Sequence, residues 1–108
     1  MDPAVKVAVV KSDNRRGAVA QALALLAPEL ARIVTDQVLI KPNLVSHRAQ
    51  TPSTHADVLS AAVESVISHG ARDITVAEGA TDASAAFDRF GFRRETWGQP
   101  VQYFDINR

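Results

Sequence analysis

Polar side chains that could bind an anion follow a predicted strand near the middle of the chain. Val38–Ile40 is a short apolar run typical of a buried strand, and Lys41 and Asn43 come directly after it. A lysine is rarely buried in a strand without an anionic partner or a route to solvent. In open α/β sheets, ligands bind outside the carboxyl ends of the strands. Lys41, as a point charge, and Asn43, as an amide, are therefore candidate contacts for a phosphate or carboxylate.

Three more candidates surround the next predicted helix and strand. Thr54 is predicted to begin the helix in a Thr54-x-x-Asp57 pattern that resembles a capping box, and the N–H groups after it suit an anion. His55 could act as a general acid or base near neutral pH, or simply be exposed in the first turn. Glu78 follows the next strand and could pair with Lys41 across neighbouring strands. Such a pair could serve the site or be purely structural.

The first loop adds further charges at the same predicted edge. Lys11 follows the predicted strand Val5–Val10 and is a candidate contact for the same anion. Arg15 and Arg16 could attract anions there, although a charged loop is usually only solvated. His47, in the long loop before Thr54, would add a ligand type suited to a divalent metal. No compact motif such as His-x-x-x-His occurs, so no residue is assigned as a metal ligand.

Alternating strand and helix patterns predict the elements that position these residues. Helical periodicity runs from Val19 to Ile33, where Pro28 predicts either a kink or the start of a second helix. Another helix is predicted from Thr54 to a stop at Gly70. Apolar runs predict four strands, and short helical patterns fill the last connection: Val5–Val10, Val38–Lys41, Asp73–Ala77 and Val101–Phe104, with helices at about Ala83–Phe90 and Phe92–Trp97.

The order β-α-β-α-β-α-β predicts one α/β domain over residues 1–108. We expect a mostly parallel four-stranded sheet in a three-layer Rossmann-like or flavodoxin-like arrangement. Its carboxyl edge would collect Lys11, Lys41, Asn43, Glu78 and Asp105.

Composition excludes several classes of function. Twelve basic and twelve acidic residues cancel, which argues against a nucleic-acid partner. No apolar run approaches the ~20 residues of a membrane span, so no membrane partner is expected. The chain has no cysteine, which suits a cytoplasmic protein and excludes an iron–sulfur cluster in this segment. Dinucleotide-binding, Walker and Gly-x-Ser-x-Gly motifs are absent. No cofactor is assigned.

Four sequence features together resemble the domain of unknown function DUF362 over roughly residues 5–105. The features are Val38-Leu-Ile-Lys-Pro-Asn-Leu44, Thr54-His55, His69-Gly70-Ala71 and Ile74-Thr-Val-Ala-Glu-Gly79. The family strand usually ends Gly-Glu or Gly-Asp, whereas this chain has Ala77-Glu78. Members are usually several times longer, so the resemblance implies that this chain is the amino-terminal part of a longer protein.

Two functions are consistent with these features. The first is an α/β domain that binds a small anionic molecule, or a metal, at the carboxyl edge, within an enzyme in which His55 and Glu78 are the catalytic candidates. The alternative is a non-catalytic interaction module whose partner is another copy, giving a homo-oligomer, or a missing carboxyl-terminal segment. An apolar patch near Trp97 and Tyr103 would then be the contact surface. The sequence names neither substrate nor reaction.

Overall fold

The chain has an α/β fold in which three strands form one parallel sheet. The computed structural model describes residues 4–43, 54–79, 87 and 101–106. Three helices and three strands lie in these ranges: α1 Arg15–Leu25, α2 Ala27–Ile33, β1 Gln37–Ile40, α3 Ala56–Ser68, β2 Asp73–Glu78 and β3 Val101–Asp105. None of these helices combines the length and apolar character needed to cross a membrane.

The sheet has the order β1-β2-β3, and both strand pairs are parallel. Ile40 lies opposite Val76, and Glu78 lies opposite Asp105, so the carboxyl ends of all three strands meet at one edge. We call this edge, with Lys41, Glu78 and Asp105, the carboxyl edge. The parallel α/β architecture predicted from the sequence is confirmed.

The predicted first strand, Val5–Val10, is wrong: these residues have no regular secondary structure. Val5, Val7 and Val9 are 87%, 79% and 85% exposed. A strand exists through hydrogen bonds to a neighbouring strand, and within the described part of the chain residues 5–10 make no backbone hydrogen bond. The described sheet therefore has three strands where four were expected.

The apolar row that begins near Val19 forms two helices rather than one kinked helix. The Asn14 side chain caps α1 by accepting a hydrogen bond from the Gly17 N–H at 2.9 Å. Pro28 is the second residue of α2, where its missing N–H leaves no helical hydrogen bond unmade. The second of the two sequence alternatives is thus confirmed, with the new helix beginning one residue before the proline.

Helix α3 covers one face of the sheet and ends where the sequence predicts. Its C-cap is His69, and Gly70 has φ of 103°, a conformation that favours glycine. Buried residues from this helix, from β2 and from the segments beside them form the core: Leu59, Val63, Ala71, Ile74, Val76 and Phe87.

Phe87 is helical and fully buried, and its ring packs edge-on against Tyr103 at a centroid distance of 5.4 Å. Phe87 thus belongs to the core. Tyr103 is half-buried, and the apolar patch near Trp97 and Tyr103 stays a prediction. Trp97 and the rest of the predicted helices at 83–90 and 92–97 lie outside the described residues.

The opposite face of the sheet is exposed at Leu39 and Phe104 but buried at Ala77. Leu39 is 68% exposed and Phe104 54%, and they lie opposite Thr75 and Ala77 in the register. Side chains alternate between the faces of a strand, so these residues point away from α3. The three-layer Rossmann-like arrangement, with helices on both faces, is therefore not seen among the described residues.

Candidate functional site

Lys41 and Glu78 form an ion pair at the carboxyl edge. The Lys41 Nζ donates to Glu78 Oε2 at 3.0 Å. Because β1 and β2 are parallel neighbours, the residue after Ile40 lies beside the end of β2. The two partners differ in exposure: the side chain of Lys41 is 62% exposed, and that of Glu78 is 9% exposed. The pairing that the sequence suggested is present, and it joins a buried carboxylate to an ammonium that faces solvent.

The Glu78 carboxylate is also held by backbone. Its Oε1 accepts a hydrogen bond from the Gly79 N–H at 2.7 Å. Burying a carboxylate is costly unless it is paired and hydrogen-bonded, so Lys41 and this N–H together offset the loss of water. Sequence reasoning missed Gly79 because a backbone donor leaves no side-chain signal.

Asn43 and Thr54 are joined by two hydrogen bonds. The Asn43 N–H donates to Thr54 Oγ1 at 2.8 Å, and the Thr54 N–H donates to the Asn43 carbonyl at 2.7 Å. These bonds join Asn43 to Thr54; residues 44–53, which include His47, lie outside the described residues. The two bonds hold the backbone of Asn43 beside Thr54, just before the start of α3.

The predicted capping box beginning at Thr54 is wrong. The N-cap of α3 is His55, with extended backbone, and the helix begins at Ala56. Thr54 lies one residue before this N-cap, and its hydroxyl accepts from the Asn43 N–H. Asp57 instead accepts a hydrogen bond from the N–H of Val58 at 2.8 Å.

His55 lies at the junction of the Thr54 pair and α3. Its carbonyl accepts from the N–H groups of Val58 and Leu59 at 3.1 and 3.2 Å, while its side chain makes no capping hydrogen bond. The imidazole is half-buried. Its role as a general acid or base stays a prediction.

Arg15 and Arg16, which the sequence placed in the first loop, begin α1 and pair with carboxylates of α3. Arg15 Nε donates to the Asp57 carboxylate at 3.1 Å, and Arg16 pairs with Glu64. Both are therefore engaged between helices, which departs from the expectation that they attract anions in a loop. Asp57 adds a negative charge to the first turn of α3, so the amino terminus of this helix is already provided with an anion.

Lys11 is not brought together with the other candidates by a strand. It is exposed and, within the described part of the chain, makes no hydrogen bond or ion pair. Its predicted position depended on a strand at Val5–Val10, which does not form. Its role as a ligand contact stays a prediction.

Metal-binding side chains do not cluster among the described residues. Residues 4–43, 54–79, 87 and 101–106 contain no group of three or more histidine, aspartate or glutamate side chains that could hold a metal ion. His47 lies outside these ranges. The described part of the carboxyl edge therefore offers the Lys41 ammonium and the carboxylates of Glu78 and Asp105.

Comparison with known protein families gives one match. A family model described as Domain of unknown function (DUF362) matches residues 38–108. The match begins in β1 and covers the carboxyl-terminal part of the chain, so the expected extent from residue 5 is wrong. Lys41, Asn43, Thr54, His55 and Glu78 fall inside the match, and Lys11 falls outside. Comparisons with curated proteins and with solved structures give no significant match.

Proposed function

This chain belongs to the DUF362 family, and from that premise and the geometry of the carboxyl edge we propose that it binds a small molecule through a phosphate or carboxylate group. Lys41 supplies the cation in this proposal. Glu78 is the residue that positions Lys41, and Asn43 adds an amide. The observation that carries the proposal is the ion pair between an exposed ammonium and a buried carboxylate at the ends of two parallel strands.

The Lys41 ammonium has donors left for a ligand. An ammonium carries three N–H donors, and one is used by Glu78. No second hydrogen bond or ion pair of Lys41 occurs within the described part of the chain. A flexible lysine side chain costs entropy to immobilise, and the contact with Glu78 meets part of that cost before a ligand arrives.

Position supports the same proposal. The carboxyl ends of parallel strands are where ligands bind in open α/β sheets. The Asn43–Thr54 hydrogen bonds hold the Asn43 backbone, two residues along the chain from Lys41, in one conformation. His55 follows in the chain and is the candidate acid or base if the bound molecule reacts.

Charge limits the strength of binding that we expect. Without a ligand, the carboxylate of Glu78 neutralises the Lys41 ammonium, and the same carboxylate would repel a bound anion. We therefore expect a modest affinity for inorganic phosphate alone, with further contacts from the remainder of a larger ligand.

Thermal unfolding in the presence of inorganic phosphate, acetate and MgCl₂, with a sodium chloride reference at equal ionic strength, tests the proposal. A ligand that binds the native state raises its stability by mass action. Phosphate or acetate should raise the Tm of wild type and of Lys41→Arg, which keeps the cation. The increase should disappear in Lys41→Ala.

Arg72→Ala is the matched control, because Arg72 is an exposed cation at the opposite end of β2. It should respond to phosphate as wild type does. Equal Tm increases in wild type, Lys41→Ala and Arg72→Ala would show a general salt effect and contradict the site. A stabilisation by Mg²⁺ that Glu78→Gln abolishes would overturn the anion proposal in favour of a cation bound by Glu78.

A further inference from the structure

Residues Val5–Val10 have the composition of a strand without a strand partner. Three of the four valines in this segment are largely exposed, and they alternate with Lys6 and Ala8. Within the described part of the chain, the peptide groups of residues 5–10 make no backbone hydrogen bond. An exposed apolar segment without backbone partners can pair with the edge of a sheet.

Residues Val5–Val10 lie beside α2 with most of their valine side chains exposed to solvent. Lys6 Nζ pairs with Glu29 Oε1 at 3.0 Å, which ties the segment to α2. A shallow cavity lined by residues 6–9 and by Leu25 and Leu26 places it beside the junction of α1 and α2. The valines are thus presented to solvent on a segment that is anchored at one side.

The described sheet has an open edge at β1. The order β1-β2-β3 leaves β1 with a neighbour on one side only. Successive peptide groups of a strand point to alternate sides, so part of the backbone of Gln37–Ile40 faces away from β2. Leu39 at this edge is 68% exposed. The open edge of β1 is therefore apolar and able to accept a further strand.

We propose that the chain forms a reciprocal dimer, in which Val5–Val10 of each copy adds as a strand to the open edge of β1 in the other copy. One chain carries both halves of this contact, so a two-fold axis satisfies both at once and closes the assembly at two copies. Each added strand would extend the described three-stranded sheet to four and would give β1 a second strand neighbour, which it lacks among the described residues.

A second copy is the partner that the structure favours. Val5–Val10 and β1 are both described within one chain, and they do not pair with each other there. The Lys6–Glu29 ion pair keeps the segment beside the helices of its own chain. The proposal does not depend on the anion site, because Val5–Val10 contributes no residue to the carboxyl edge.

Sedimentation of the full chain over a series of concentrations measures the dimer directly. Wild type should dimerise, and Val9→Pro should raise the dissociation constant at least about tenfold, because proline removes a strand donor. Val9→Thr keeps the N–H and the branched side chain and should dimerise nearly as wild type does. The Val9 N–H makes no hydrogen bond in the described single chain, so Val9→Pro should keep the monomer Tm.

Cysteine cross-linking locates the contact, since the chain contains no cysteine. Val7→Cys mixed with Leu39→Cys should form a disulfide-linked dimer under mild oxidation. Val7→Cys mixed with Gln21→Cys, an exposed position on α1, is the control and should not. A monomeric wild type, an undiminished dimer in Val9→Pro, or a cross-link within one chain of the Val7→Cys/Leu39→Cys double variant would each overturn the proposal.

Discussion

Replacing Glu78 with glutamine should tighten the binding of phosphate. Glutamine keeps the shape of the side chain and an oxygen that can accept from the Gly79 N–H, but it removes the negative charge 3.0 Å from Lys41 Nζ. A phosphate bound on the other side of this ammonium, at about 2.8 Å, would lie about 5–6 Å from the Glu78 carboxylate. The substitution removes the repulsion between these two anions, and this gain should exceed what is lost when Glu78 no longer positions Lys41 through an ion pair.

The size of the effect follows from Coulomb's law. At about 6 Å, two unit charges repel by about 0.7 kcal/mol in water and by about 3 kcal/mol at an effective dielectric constant of about 20. Lys41 is 62% exposed, so solvent screens the site and the lower part of this range applies. We expect a gain of about 1 kcal/mol, which corresponds to an affinity about fivefold higher.

Isothermal titration of inorganic phosphate into wild type, Glu78→Gln and Asp73→Asn measures this gain. Asp73 is exposed at the other end of β2, so its substitution makes the same change in net charge away from the site and should leave the affinity unchanged. An affinity in Glu78→Gln that is equal to or lower than in wild type, with the fold intact, would refute the placement of the anion on Lys41.

Three further predictions concern the fold. Phe87→Ala empties a fully buried position and should lower the free energy of unfolding by about 3–5 kcal/mol in urea titrations, whereas Phe87→Leu should cost clearly less. The hydrogen bond from Lys6, with a smaller contribution from the backbone N–H of Glu29, holds the pKa of the Glu29 carboxyl below its ordinary value of 4.5. The stability from Glu29 is therefore full above that value and is lost as the pH falls through the lowered pKa, so wild type and Glu29→Gln should differ at neutral pH and converge in acid, as pH-dependent denaturation can show. Gly70→Ala should cost about 1–2 kcal/mol because φ is 103°, whereas Gly17→Ala, in α1 with its nearest neighbouring atom 3.5 Å from the new Cβ, should raise the denaturation midpoint.

The carboxyl edge could be predicted because it depends on local patterns and on one topological rule. Apolar runs identified β1, β2 and β3 to within one residue at each end. A strand–helix–strand connection in a parallel sheet places the ends of its strands at the same edge. Lys41 and Glu78 follow two such strands, so their pairing could be anticipated without knowledge of the packing. Gly70 was predictable for a similar reason, since a helix end needs a residue that tolerates positive φ.

The sequence could not show that the predicted strand Val5–Val10 does not form, because a strand needs a partner as well as a suitable sequence. The apolar pattern of Val5–Val10 indicates only that the segment can pair with another strand. No such strand is found among the described residues. The cap of α3 was misplaced for a related reason. The local pattern offers the Thr54 hydroxyl a donor inside the helix, whereas the structure supplies the N–H of Asn43 from eleven residues away.

The two proposed contacts meet on β1, which makes their coupling measurable. Lys41 directly follows Ile40, the last residue of β1, and β1 would gain a new neighbour in the dimer. If strand addition alters the position of Lys41, saturating phosphate must shift the dimer dissociation constant by the square of the factor by which dimerisation shifts the phosphate affinity of each site, because the dimer has two sites. Val9→Pro should then change the phosphate affinity of the chain, while the ratio between Glu78→Gln and its parent stays the same. If the contacts are independent, phosphate leaves the sedimentation of the chain unchanged. The Lys41 and Glu78 variants then test the anion site alone, and Val9→Pro tests the dimer alone.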